Sequence, residues 1–233
     1  VKVVARIHGR VATRLSKLTR LYTASAIILI ALSFLLPLVV WNLPLEELTV
    51  RLSLTALSVA LAFLAGFCVK RAVGYRKGVK GEMEVFKRLR SLPRSYHVFP
   101  GVDLIRGDVD FVVVGPTGVF AIEVKHWKGG RLIPRKGGSW KRVFSRHNSR
   151  LIKSPVIQVK SYADKLYSLL GVPVEPIVVI AGDIKIREQT WEGVPILRPR
   201  KVYEYILSRE KYLDERNIHR VVRLLKFFKQ LAE

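Results

Sequence analysis

Before residue 70 the chain is apolar in long blocks, and beyond it the pattern breaks into short periods. Residues 22–41 hold no charged side chain, and residues 52–69 hold none either, tolerating Ser53, Thr55 and Ser58. About twenty apolar residues cross a bilayer as a helix, so both blocks are expected to span a membrane; Pro37 is acceptable near a membrane exit. A cleaved secretory leader fits the first block poorly. It is too long, lacks a small-x-small site before Trp41 and is followed by a second block. Between 78 and 92, Glu82, Val85, Phe86, Leu89 and Leu92 recur at helical spacing. A short strand at 96–100 follows, then two runs at 112–114 and 119–122 rich in β-branched residues, joined by Gly115-Pro116-Thr117-Gly118 as a turn. An accessory hairpin is expected at 131–134 and 139–144, linked through Lys136-Gly137-Gly138. Pro155 opens a helix whose buried stripe is Val156, Val159, Ala163, Leu166 and Leu170. Residues 177–181 are apolar without a break, as in a strand covered on both faces. The tail holds an apolar stretch at 202–207 and an amphipathic helix from about 214, with Ile218, Val221, Val222, Leu225 and Phe228 inward.

The central hairpin carries the candidate chemistry. If its turn is centred on Pro116-Thr117, positions whose numbers add to 233 face each other, which sets Asp110 opposite Glu123 and Asp108 opposite Lys125. Carboxylates facing each other in a sheet repel. A hard divalent cation between them reverses that sign, since such ions take carboxylate oxygens. Side chains alternate along a strand, so Glu123 and Lys125 share a face and Val124 takes the other. Two acids and one cation at a single spot are parts that phosphodiester cleavage requires. A solvated strand end is the plain alternative for a lone Glu-x-Lys. Glu82 falls on the core-facing side with Phe86 and Leu89, where a carboxylate is costly unless paired or metal-bound. A helix-start acid favoured by the dipole is the other reading of that residue. Glu84 precedes Arg88 by four and reads as a surface pair. Gln158 and Tyr162, also four apart, can reach one site together, or serve as a boundary glutamine and a half-buried tyrosine.

Charge changes the picture most. Forty-one Lys and Arg against eighteen Asp and Glu give a net charge of +23. That excess points to a polyanion, either nucleic acid or the anionic inner leaflet of a lipid bilayer. Between Glu123 and Asp164 there is no acid at all. The stretch is filled by Lys128, Arg131, Arg135, Lys136, Lys141, Arg142, Arg146, Arg150 and Lys153, with Trp127, Trp140 and Phe144 interleaved. Such a run can hold a phosphate backbone and stack bases, or dock on anionic lipid; nucleic acid is favoured slightly, DNA over RNA. Bases also sort the topology. Lys2, Arg6, Arg10, Arg14, Lys17 and Arg20 precede the first block, and Lys70, Arg71, Arg76, Lys77 and Lys80 follow the second. The connector carries only Arg51 beside Glu46 and Glu47. By the positive-inside rule both termini are expected in the cytosol. One Cys68 and five scattered histidines exclude a disulfide framework and a Cys/His zinc pattern. No Gly-rich phosphate loop or Gly-x-Ser-x-Gly elbow competes with the acid pair.

Around that pair the chain resembles the nuclease-related (NERD) domain, a branch of the PD-(D/E)XK nuclease superfamily. The matching residues run from 78 to 182: Gly78-Val-Lys-Gly81-Glu82 at a helix start, Asp110-Phe-Val-Val-Val-Gly, Gly118-Val-Phe-Ala-Ile-Glu123-Val-Lys125, then Trp140, Pro155-Val-Ile-Gln158 and the 177–181 strand. Gln158-Val-Lys-Ser-Tyr162 is similar to the Gln-x-x-x-Tyr element of RecB-type exonucleases. Val109 stands where the superfamily often has proline, and Ser154 where family members often have asparagine. The resemblance implies an α/β fold with a restriction-endonuclease-like core, α-β-β-β-α-β, its mixed central sheet flanked by helices. Two transmembrane helices precede that core, giving an anchor over 1–77 and a nuclease-related domain over 78–233. It further implies Mg2+ or Mn2+ on Asp110, Glu123 and the Val124 carbonyl, with Lys125 orienting water or neutralising charge on the phosphate. Glu82 would assist metal or water, and Gln158 and Tyr162 would position substrate. A catalytically idle nucleic-acid-binding or scaffolding module at the membrane is the second class that stays open.

Overall fold

The computed structural model describes residues 4–42, 48–104 and 107–231. Lys2 and the connector acids Glu46 and Glu47 lie outside the described residues. The chain divides into two compact units, Thr13–Val79 and the residues up to Ala12 together with those from Lys80 onward.

The first unit holds α1 (Thr13–Asn42) and most of α2 (Leu48–Leu89). Both helices are long and apolar enough to cross a membrane, and only 11 % and 17 % of their apolar windows are buried. Phe34, Trp41 and Phe63 accordingly face outward. Polar side chains inside the blocks satisfy themselves on the helix backbone. Ser33 donates to Ile30 O, Thr55 to Arg51 O and Ser58 to Thr55 O, all within 2.8 Å, as polar groups in an apolar medium must. Cys68 is buried and free.

The α/β unit is organised by a seven-stranded mixed sheet in the order β1-β2-β3-β4-β8-β10-β9. Its strands are β1 (Arg6–Ile7), β2 (His97–Asp103), β3 (Asp108–Gly115), β4 (Gly118–His126), β8 (Val174–Ala181), β9 (Thr190–Trp191) and β10 (Val194–Leu197). Strands β2 to β4 form an antiparallel meander, and β8 lies parallel to β4. A parallel neighbour needs a long crossover. Here it consists of a separate three-stranded sheet, β5 (Arg131–Ile133), β6 (Ser139–Val143) and β7 (Ser149–Lys153), followed by α3 (Pro155–Leu170). With the end of α2, the order α-β-β-β-α-β is the one expected.

Alternation along the central strands splits the core into two layers. Val112, Val114, Val119, Ala121, Val178 and Ile180 pack with α3, with α5 (Glu215–Leu231) and with Leu132 and Trp140 of the small sheet. Phe111, Val113, Phe120, Ile122, Val124, Ile177 and Val179 pack with the end of α2 and with α4 (Pro199–Ser208). All five stripe residues of α3 are buried, and Gly171 closes that helix in the left-handed region at φ 65°, where glycine carries no penalty.

Three elements differ from the pattern-based expectation. The 52–69 block and the 78–92 helix are one continuous helix, because the intervening residues contain no proline and no stop signal. The accessory hairpin gains a third strand, β7. Residues assigned to an anchor over 1–77 are divided, since the stretch up to Ala12 belongs to the α/β unit. The reason is an open sheet edge, whose unpaired backbone groups accept another strand. Arg6 N–H donates to Tyr96 O and His8 N–H to Val98 O, both at 2.9 Å. Lys229 of α5 ties the join by donating to His8 O and Pro100 O at 2.9 and 2.7 Å.

Candidate active site

The hairpin that frames the site has the register the turn dictates. Gly115 pairs with Gly118 and Phe111 with Ile122, so facing positions add to 233. Asp110 and Glu123, one step further, therefore lie on the α3 side of the sheet with Lys125, while Val124 points to the other layer. At that step the backbone pairing stops, and the Asp110 carboxylate takes over. Its Oδ2 accepts the Val124 N–H at 2.7 Å. Glu123 is 2 % exposed; its Oε1 accepts from Lys125 Nζ at 2.5 Å, and its Oε2 is buried with no hydrogen-bond partner among the described residues. Glu82 arrives from α2 and is buried, with Glu84 exposed beside it. From α3, Gln158 Nε2 donates to the Tyr162 hydroxyl at 3.0 Å. Tyr162 lies against Gly107 so closely that a Cβ there would stand 2.7 Å from its hydroxyl. Gly107 also has φ +127°, so glycine is required twice over.

Crowding the acids has an electrostatic consequence. Burial pushes Asp110 well above the usual carboxylate range, and the charges of Glu123 and Glu82 push it further, against the Val124 N–H and Lys125. Burial also raises Glu123, opposed by Lys125 and by the Gln158 amide. Glu82 is pushed up to about 7, by burial first and then by Glu123, with Asp108 adding to the rise; the Ala12 N–H and Lys125 oppose it. For Lys125, burial favours the neutral amine, yet Glu123 and Asp110 outweigh it and its pKa is raised. The cluster thus holds more negative charge than one ammonium can balance.

That excess suits a hard divalent cation. Among the described residues no three Asp, Glu, His or Cys side chains form a closed metal cage. Mg2+, however, is usually held by one or two carboxylates and keeps several waters. Asp110, the free oxygen of Glu123 and the Val124 carbonyl match that demand.

The basic run is sorted by the small sheet. Lys128, Arg131, Arg135, Lys136, Arg146, Arg150 and Lys153 are exposed, and Lys141 is half-buried on the outer face. Arg142 turns inward, 7 % exposed, and donates to the Lys128 and Gly129 carbonyls. It therefore holds the chain leaving β4. Trp140 is fully buried and Trp127 partly so; both pack. Two residues near charged clusters escaped the sequence reading. Asp108 shares the parity of Asp110, a signal that was there to use. Lys185 meets Arg131 only through a bridge between distant segments, and no local signal marks it.

Residues 77–181 match the nuclease-related domain (NERD) family. No curated protein and no solved structure matches the chain.

Proposed function

Starting from residues 77–181 as a nuclease-related domain, we propose that the chain is a divalent-metal-dependent nuclease that hydrolyses phosphodiester bonds of DNA. The apolar helices would hold it on a membrane, with both termini and the α/β unit in the cytosol. The observation that carries the reading is the convergence of Asp110, Glu123 and Lys125 on one face, with one carboxylate oxygen buried and unpartnered. Asp110, Glu123 and the Val124 carbonyl would hold Mg2+ or Mn2+. Such an ion, when bound, acidifies a water and places positive charge beside the scissile phosphate.

The chain's own residues supply the rest. The Asp110–Val124 hydrogen bond fixes one carboxylate in place before substrate arrives. The Lys125 ammonium, held in its charged form, would stabilise negative charge building on the phosphate, as preorganised donors do. Glu82, pushed up to about 7, can hold or release a proton near neutral pH, the range that suits an acid or base. Gln158 and Tyr162 reach the same face from α3 and would orient the strand. Basic flanks on both apolar blocks support the cytosolic placement.

A second reading, an idle binding module at the membrane, draws on one observation: Lys125 already neutralises Glu123 at 2.5 Å. Incubating the full chain in detergent with circular and linear DNA, and with RNA, with and without Mg2+, decides between them. Cleavage that needs the ion supports the nuclease; binding of either nucleic acid without cleavage in Mg2+ or Mn2+ supports the module. For topology, tags at the termini should be protected from protease in sealed cells, while a site inserted near Glu46 should be cut.

A further inference from the structure

The outer face of the β5–β6–β7 sheet carries a cavity of about 630 Å³, in the size range of ligand sites. Arg131, Lys141, Arg146 and Lys185 line it together with Phe144 and Ser145, and no acid among the described residues does. Distant parts of the chain are brought together to make it. Arg131 bridges Lys185 in parallel, Leu132 N–H donates to Lys185 O at 2.8 Å, and Lys185 N–H donates to Gly130 O at 3.0 Å. Four cations around one hollow repel one another, and none of the four forms an ion pair among the described residues. Asp183, two residues before Lys185, is committed elsewhere, accepting the Gly129 N–H at 2.8 Å. The hollow is therefore built for an anion. Its aromatic rim narrows the choice. Phe144 is 42 % exposed, on a turn that has no packing role for it beyond the Arg142 and Arg150 guanidiniums at 4.4 and 5.7 Å from its ring.

We propose that this cavity binds single-stranded nucleic acid, with backbone phosphates on Arg131, Lys141, Arg146 and Lys185 and an unpaired base on Phe144. Cationic grooves with stacking aromatics are how proteins hold single strands without reading sequence. In a duplex the bases offer only their edges, so Phe144 has no face to stack on. The inference rests on the nuclease reading for its purpose, as a substrate anchor beside the acid cluster. Arg131 follows Lys125 by six residues, which places their Cα atoms at most about 21 Å apart. A strand rising about 3.4 Å per nucleotide covers that in roughly six nucleotides.

The test measures binding apart from cleavage. Full-length chain in detergent with EDTA is titrated into a fluorescent single-stranded DNA of about a dozen bases, a length within known single-strand site sizes. Two triple variants with equal charge change are compared: Arg131→Gln/Lys141→Gln/Arg146→Gln in the cavity, and Arg216→Gln/Arg220→Gln/Arg223→Gln on the exposed face of α5. The cavity triple should lose affinity roughly tenfold or more, and its salt slope should fall by about 2, at about 0.7 for each phosphate contact to a single strand. The α5 triple should change affinity less than about threefold. Phe144→Ala should weaken binding of the normal strand and leave an abasic strand of the same length unaffected. Equal losses from both triples, tighter binding of duplex than of single strand, or loss of phosphatidylglycerol-vesicle binding with oligonucleotide binding intact would each overturn the proposal. Cavity-dependent binding without any cleavage in Mg2+ would leave this site standing and end the nuclease reading. Cleavage with an unchanged KM in the cavity triple would do the reverse.

Discussion

At the open end of the β3–β4 hairpin, Asp110, Glu123, Glu82 and Lys125 are drawn into one partly or fully buried cluster, whereas the β5–β7 sheet spreads its cations over solvent-exposed surface. Burial makes each charge in the first region expensive, so the carboxyls shift upward and every one of them answers to its neighbours. In the second region water screens the charges, and each cation acts almost alone. The difference assigns roles. A crowded, dehydrated cluster can distinguish a ground state from a transition state, while a screened surface can only raise the local concentration of a polyanion. Substitutions in the two regions should therefore fail in different measurements.

The largest separation is expected from Glu123→Ala, which should abolish divalent-dependent cleavage while DNA binding survives or tightens, as read by gel cleavage and anisotropy on one preparation. Lys125→Ala should come next, lowering kcat by roughly a hundredfold with little change in affinity, because its charge matters most in the transition state. Removing exposed bases of the small sheet should do the opposite. Affinity should weaken and its salt dependence flatten by about one unit of slope per lost phosphate contact, with kcat at saturating DNA unchanged.

A subtler test uses pH. Glu82 has a folded pKa raised to about 7 from 4.5, so the folded state holds its proton more tightly than the unfolded state does. Stability from this group is full below about 4.5 and is lost as pH rises through about 7. In EDTA, Glu82→Gln should remove that decline, worth on the order of 3 kcal/mol, in a comparison of melting curves across pH. His97 works the other way. Burial first, then His8, lowers it to about 4 from 6.5, so its contribution is present above 6.5 and is lost as pH falls through 4. His97→Asn should flatten the acid limb by less, since that ring is near the sheet edge.

Local rules reached the hairpin register because a two-residue turn leaves no freedom in pairing. They also reached the α3 stripe, the inward Glu82 and the two apolar blocks, each set by period or length. They could not reach β1, whose partner lies some ninety residues away and whose only local signal is a pair of ordinary residues, Arg6 and Ile7. Strand β7 is exposed and mostly polar apart from Ile152. Its pairing with β6 makes it a strand, and alternation does not. The inward turn of Arg142 could have been read from its shared parity with Trp140, but the charge of the surrounding run masked it. Lys185 joins the cavity by tertiary placement alone.

The central claim is that Asp110 and Glu123 hold one metal ion, and Mn2+ binding followed by electron paramagnetic resonance tests it without reference to activity. Full-length wild-type chain in detergent should bind Mn2+ in competition with Mg2+. The Asp110→Asn and Glu123→Gln variants, which keep hydrogen-bond acceptors but lose charge, should each weaken that binding by tenfold or more, as expected for a lost charged ligand. Equal Mn2+ affinity in wild type and both variants would contradict the account.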